Sequence, residues 1–491
     1  MMRMRAMLLA ALPLLAAGCS LAPDYARPGA PVPPAFPQGG PYPALPATGV
    51  APVAYPDIFR DARLQTVIGR ALANNQNLQV ALANVRAARG QLRIARAGLL
   101  PAFGLSGAAS IARNRGAAAG INGGGGGVTE QYRLQAGLTA FEIDLFGRVR
   151  SGAEATLNEY LATEAGSRAA RLTLIAETAS AFYTLAADRS LLTVAEETVA
   201  SAQRTVDLTN ARLRGGIVAR TDLRQAETIL RQAESDRADL RALVAQDRNA
   251  LELLVGAPVT DAELPVSIEA ADGLIAPPPA GLDSRVLLGR PDVVQAEYAL
   301  RAANARIGVA RANFFPTLSL TGLAGFASTA LGALFSGDSL IYNAGANLDA
   351  PLFQGGALRG NLELTEAQRD ALLAQYRLSI QTAFREVADA LARRGTIEEQ
   401  LTAQRGLEAA AADSLRIAEA RYREGIDAYL LTLDAQRTLY NARRSVVATR
   451  LARADNLVEL YRTLGGGDLI VEAIPAAPET PRAGPVLRGE R

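Results

Sequence analysis

The feature that most constrains this chain is a helix that hands over to a strand at a proline, twice, at one fixed spacing. In "RAGLLPAFGLSG" (Arg96 to Gly107) and "RANFFPTLSLTG" (Arg311 to Gly322), an Ala- and Arg-rich helical pattern meets Pro101 or Pro316 and becomes a period-two alternation. Proline has no N–H to continue a helical ladder and pushes the residue before it towards extended backbone, so each helix must stop there. Pro316 minus Pro101 is an offset of 215, and Phe103, Leu105, Ala109 and Ile111 fall on Leu318, Leu320, Ala324 and Phe326 at that offset. The chain is an internal two-fold repeat whose strand register survives the duplication.

Each strand runs into a loop and a return strand, giving expected strands at about 102–113 and 130–144 in the first half and about 317–328 and 340–351 in the second. The returns carry Tyr132, Leu134, Ala136, Leu138 and Ala140 on one face, and Leu340, Tyr342, Ala344, Ala346 and Leu348 in the second half. Their other faces carry Arg133, Gln135 and Thr139, or Asn343, Asn347 and Asp349. Strands of about ten residues with one apolar face suit a membrane β-barrel, and the same pattern suits an edge hairpin of a soluble sheet. The glycine run at 123–127 is no phosphate loop, because no lysine follows it and it lies between two strands.

The remaining sequence is helical at length. No proline occurs from Arg148 to Arg214 or from Leu358 to Glu424, and apolar or small residues recur at helical spacing. At 1.5 Å per residue a continuous run of this size reaches about 100 Å, too long for one globular domain. Both runs stop at matching turns, "RLRGGI" and "RYREGI", where Gly215 or Gly216 and Gly425 suit a left-handed helix end. Each returns as another helix, with Asp222 and Asp427 as expected caps.

Composition removes most chemistry. The chain has 491 residues with no histidine, tryptophan or lysine, one cysteine (Cys19), and four methionines that all precede it. No Ser-His-Asp or Cys-His arrangement, Walker loop, Schiff base or soft-metal site can be drawn from that inventory, so no catalytic residue, metal or cofactor is expected. A net charge of +2 gives no electrostatic reason to expect nucleic acid.

The N-terminus is a targeting segment. Arg3 and Arg5 precede an apolar run that ends in "AAGC". Ordinary signal-peptidase cleavage is one reading. The other is a lipoprotein signal over residues 1–18 with a lipid on Cys19, and Ser20 in place of an Asp favours the outer membrane. Residues 19–56, holding eleven of the 25 prolines from Ser20 on, then read as an extended tether. Repeat 1 spans 57–256, a linker 257–283, repeat 2 284–465, and a disordered tail 466–491.

Four strands cannot close a membrane barrel, since the smallest have about eight. Three chains supply twelve, about 24 Å across between backbones, over a ring of twelve helices about 38 Å across. Four chains remain possible on geometry alone.

Several motifs together, "CSLAPDYARP", "FEIDLFGRVRS", "LLGRPDV", "FFPTLSLTG" and "RYREGIDAYLLTLDAQR", resemble the TolC-like outer-membrane factors over about residues 19–465, and most of all the lipid-anchored (NodT-type) outer-membrane components of tripartite drug-efflux pumps. The resemblance implies a homotrimer with a 12-stranded outer-membrane β-barrel, four strands per chain, continued by a periplasmic 12-helix α-barrel. It also implies a periplasmic adaptor that docks at the tips around Gly215, Gly216 and Gly425, and an inner-membrane RND-type pump. Leu430, Asp434 and Arg437 share one helical stripe. On spacing alone Asp434 and Arg437 make an ordinary solvated ion pair, whereas the matching residues of the family line a closed periplasmic gate. The first repeat has Thr221, Gln225 and Thr228 there, at an offset of 209. Two other functions fit less of the sequence. A duct for type I protein secretion shares the architecture, and a structural coiled-coil lipoprotein leaves the four strands unexplained.

Overall fold

The computed structural model describes residues 20–46, 53–113, 128–281 and 283–470. Cys19, the glycine run at 123–127 and residues 471–491 lie outside them. The chain order is α1 (Ala62–Asn74), α2 (Gln76–Ala97), β1 (Phe103–Arg113), β2 (Val128–Ile143), α3 (Arg148–Arg214) and α4 (Arg220–Val255), then α5 (Pro291–Ala312), β3 (Thr317–Ser328), β4 (Leu340–Asp349), α6 (Ala357–Arg423) and α7 (Tyr429–Thr463). The two long helices are 67 residues each. Two compact units result, and neither follows a repeat boundary. One holds the segment through Pro28 with Val85–Thr163 and Ala296–Gln375, the other Gly29–Asn84, Glu164–Gln295 and the chain from Tyr376 on.

The first unit is built on a four-stranded antiparallel sheet in the order β1-β2-β3-β4. Its pairings put Leu105 opposite Ala136, Ala136 opposite Ala324, and Ala324 opposite Tyr342. Because opposite residues share a face, one side of all four strands is apolar along most of its length: Phe103, Leu105 and Ile111, then Leu134 and Leu138, then Leu318, Leu320 and Phe326, then Leu340 and Leu348, with Arg113, Glu130 and Ser328 on it only at the end where β1 runs into its loop. The other side carries Ser106, Gln135, Thr321 and Asn347. The expected facing of the second strand needs one correction. Leu138 pairs with Gly322 but Phe141 with Leu320, so Thr139 and Ala140 together oppose one residue, and Ala140 sits at φ 54. This bulge removes Ala140 and Thr139 from the simple alternation and brings Phe141 and Ile143 onto the apolar side.

The N-terminal segment is extended, as its prolines require, but it is no free tether. In the first unit Arg27 pairs with buried Glu297 at 2.9 Å and Asn304 Nδ2 donates to Pro23 O at 2.6 Å. In the second, Phe36 is buried and stacks on Phe384 with centroids 5.2 Å apart. Gly395 is required there, since a Cβ would stand 1.8 Å from Pro41 O.

The core of the second unit joins α1, α3 and α7 through Leu64, Ile68, Ile175, Phe182, Tyr183 and Tyr461. Burying each such side chain contributes roughly 1.5–3 kcal/mol. The linker 257–283 is packed. Val259 and Leu264 enter one apolar cluster, Ile268 and Ile275 another, because its prolines are interleaved with apolar residues. The expected tail is likewise docked as far as residue 470: Asp468 pairs with Arg171 at 2.6 Å and Ile470 N donates to Gly289 O at 2.7 Å. At the head of the second repeat, buried Arg290 donates to Asp292 at 2.7 Å, Glu386 at 2.9 Å and Thr463 O at 2.9 Å, which ties α5's start to α6 and α7. No described helix is long and apolar enough to cross a membrane.

Candidate functional site

The two helical hairpins end in the same turn. Ile217 N donates to Arg212 O and Ile426 N to Arg421 O, both at 2.9 Å, with Gly216 at φ 72 and Gly425 at φ 73. These are six-to-one helix closures that need a left-handed residue. A Cβ at either glycine would meet no neighbour, so the requirement is conformational alone. Gly215 is not left-handed. Ile217 and Ile426 stand exposed beside the turns.

The expected aspartate caps are not formed. The N-caps of α4 and α7 are Ala219 and Ala428, with no side-chain bond. Asp427 is taken instead by Arg421, Nε to Oδ2 at 2.5 Å, and that hydrogen bond holds the carboxyl below its ordinary range. A guanidinium within reach outcompetes a backbone N–H for a carboxylate.

Sequence reasoning missed a contact between the hairpins. Arg212, in the last turn of α3, donates from Nη1 to Tyr422 O at 3.2 Å and from Nη2 to Arg423 O at 3.1 Å, and lies 4.6 Å from the centre of the Tyr422 ring. The guanidinium thus sits at the negative end of α6 and on an aromatic face, two favourable placements at once. Tyr422 packs against Tyr429 at 5.3 Å, with Ala226 and Leu433 completing a small core, and burial pushes the Tyr429 hydroxyl up to about 12. One signal was available: Arg212 and Arg421 are repeat counterparts, but only Arg421 has an aspartate six residues on.

Leu430, Asp434 and Arg437 all lie exposed on one face of α7, whose opposite face buries Tyr429, Thr432 and Leu433. Among the described residues neither Asp434 nor Arg437 has an ion pair. The structure places the three on one stripe but does not bring Asp434 and Arg437 together within the chain. Higher on the same helix, Tyr440 Oη donates to Asp236 Oδ2 at 2.6 Å and Arg443 pairs with Glu197 at 3.0 Å, across a groove of about 760 Å³ that Arg437 also lines. α7 is therefore fastened to the first hairpin by polar contacts at several levels.

A sheet with one apolar and one polar side and two very long helical hairpins are the parts of an outer-membrane channel protein, and comparison with known proteins gives that class. The sequence matches the Outer membrane efflux protein family over residues 67–257 and 282–466, and the chain belongs to that family. It is 42% identical over 452 residues to the toluene efflux pump outer membrane protein TtgC of Pseudomonas putida, covering 92% of this chain and 93% of the relative. With the outer membrane protein OprJ of Pseudomonas aeruginosa it shares 37% over 449 residues, 91% and 93% of the two chains. The open-state MtrE outer membrane channel of Neisseria gonorrhoeae superposes with a TM-score of 0.79 at 34% identity, over 92% of this chain and 99% of that one. The Campylobacter jejuni CmeC outer membrane channel gives 0.81 at 26%, over 92% and 96%. The protein is an efflux channel of the outer membrane, and its role is transport.

Proposed function

We propose that this chain is the exit duct of a tripartite efflux pump, working as a homotrimer and conducting small apolar molecules passively from a periplasmic adaptor and an RND-type inner-membrane pump to the exterior. The observation that carries the reading is the sheet: a side apolar except at one end, a polar side and two edge strands. Such a sheet is satisfied in a bilayer only when its edges are closed by further strands, and three copies close a twelve-stranded barrel with a wet interior. The long hairpins then continue the duct through the periplasm.

Cargo of the small-molecule class is favoured over secreted protein by the relatives, which include antibiotic and solvent efflux pump components. Selection of cargo belongs to the pump. The adaptor docks at the hairpin tips around Gly216 and Gly425, where Ile217 and Ile426 offer apolar contact. Leu430, Asp434 and Arg437 form the periplasmic constriction, and Asp434 and Arg437, which have no ion pair among the described residues, reach neighbouring helices. The Arg212 clasp on α6 holds each chain's second hairpin to its first while the constriction is shut.

Deleting the gene should raise retention of an apolar fluorescent dye several-fold, and the wild-type gene should restore extrusion. Normal extrusion in the deletion strain, with loss of a secreted protein instead, would overturn the small-molecule reading. The anchor is a second, separable part of the proposal. Cys19 carries a covalent lipid and begins the mature chain, so intact mass should show a diacylglyceryl and an acyl group that Cys19→Ser lacks. An unacylated wild-type N-terminus would refute it.

A further inference from the structure

An ionised side chain within the membrane-spanning part of a protein is costly to hold unless it faces water, and where one is kept it marks a functional site. Among the described strand residues the polar side of the sheet carries three: Arg133, Glu142 and Asp349. Glu142 and Asp349 lie at the end where the helices begin, opposite Ser319 and Thr317, and Glu142 is taken by Arg148, whose Nε donates to it at 2.9 Å. Arg133 lies halfway along, opposite Ala108, the middle residue of β1, and opposite Ala327 of β3. The residues two places away on its own strand are the neutral Gln131 and Gln135. Its side chain is exposed and has no ion pair among the described residues. Outward of it, residues 114–127 contain no carboxylate, Glu130 is on the apolar side and accepts from Tyr132 Oη at 3.2 Å, and Asp338 sits in the turn that leads into β4. The repeat does not demand an arginine here, since the counterpart is Asn343, opposite Leu323 as Arg133 is opposite Ala108.

From this placement we infer that Arg133 is an anion-recognition residue of the duct: three copies, one from each chain, form a ring of guanidinium groups halfway along the strands that takes soluble phosphate- or carboxylate-bearing anions. The inference rests on the homotrimer proposed above, because one chain supplies only a third of the ring.

In a twelve-stranded barrel the backbone is about 12 Å from the axis, so inward-reaching arginines bring their charge to within a Debye length of it, about 8 Å at physiological salt. Neither Ala108 nor Ala327 offers an acceptor side chain that would draw the guanidinium back to the wall. The low-dielectric wall concentrates the field of the three charges in the lumen, and rings of arginine or lysine are the filters of anion and phosphate pores. The planar fork of N–H donors matches phosphate and carboxylate oxygens. With Asn343 in the second repeat, the ring holds three charges rather than six. Uncharged cargo passes it, an anion is held in it, and a cation is opposed.

Inorganic tripolyphosphate tests the ring from the side of the strand loops, from which it reaches Arg133 without passing the helical tips. Added on that side of planar bilayers holding wild-type trimers, under a voltage that draws anions inwards, it should block the current. Arg133→Gln should raise the half-blocking concentration about ten-fold, and Arg133→Lys should keep the block. Arg133→Cys supplies a comparison within one folded preparation. After assembly, a cationic methanethiosulfonate reagent should restore the block and an anionic one should not, with the wild type treated alike as the control for Cys19. Wild-type trimers that tripolyphosphate fails to block, equal block of wild-type and Arg133→Gln trimers, or restoration by the anionic reagent as well, overturns the ring. A wild type that native mass spectrometry shows not to be trimeric overturns instead the assembly on which the ring rests.

Discussion

The titratable residues of the helical region set a pH dependence of their own. Asp188 on α3 and Asp247 on α4 bring their carboxyl groups together, and Asp247 is pushed up to about 6, first by burial and then by Asp188. The folded chain thus keeps a proton that the unfolded chain, with an ordinary carboxyl near 3.8, has given up. Stability from this pair is full at low pH, falls as pH rises from about 4 to about 6, and is level above. Asp247→Asn should therefore raise the melting temperature at pH 8 and leave it unchanged at pH 4, an effect of about 1 kcal/mol after discounting for solvent screening of a half-exposed pair. Calorimetry at the two values checks it, and equal shifts at both would refute the shared proton. Arg290 shows the opposite case, a buried cation that donates four hydrogen bonds to two carboxylates and one carbonyl.

Among the elements, the strands make the sharpest claim. Leu105, Leu138, Leu320 and Leu348 should face lipid, and Ser106, Thr321 and Asn347 the aqueous lumen, so single cysteines at these seven positions should divide into slow and fast reaction with a water-soluble thiol reagent. Equal labelling of both sets would undo the barrel assignment. Thr139 was expected in the fast set, but it sits in the bulge with Ala140 and obeys neither class.

The strands were legible because period-two alternation and a proline stop are local signals. The repeat made them doubly so. The bulge was not, since an alanine at positive φ looks like any other alanine and only the pairing of β2 with β3 demands it. The caps failed for a related reason: Asp427 has the right residue type at a helix start, but Arg421, six residues away in sequence, holds it from the other side of the turn. The prolines of 257–283 mark the linker between the repeats and say nothing of whether Leu264 or Ile268 is buried. Of the candidate site, the glycine turns and the Leu430–Arg437 stripe could be read directly. Arg212 could be singled out as lacking the aspartate that Arg421 has, but its acceptors could not be read, because they are backbone carbonyls of another helix.

For the whole molecule, the described residues present a sheet with two edge strands, the exposed Leu352 and Phe353, and a charged stripe, Asp434 and Arg437, without an ion pair. The proposed function has neighbouring copies complete each of them and a constriction at the helical tips. Single-channel conductance of purified trimers in planar bilayers tests this most directly. The wild type should conduct weakly. Leu430→Ala with Asp434→Ala and Arg437→Ala should raise conductance several-fold with trimers intact, and Arg212→Ala, which loosens the second hairpin from the first at the tip, should add to it. Trimers whose conductance is the same in the wild type, the triple variant and the quadruple variant would contradict a duct gated at these tips.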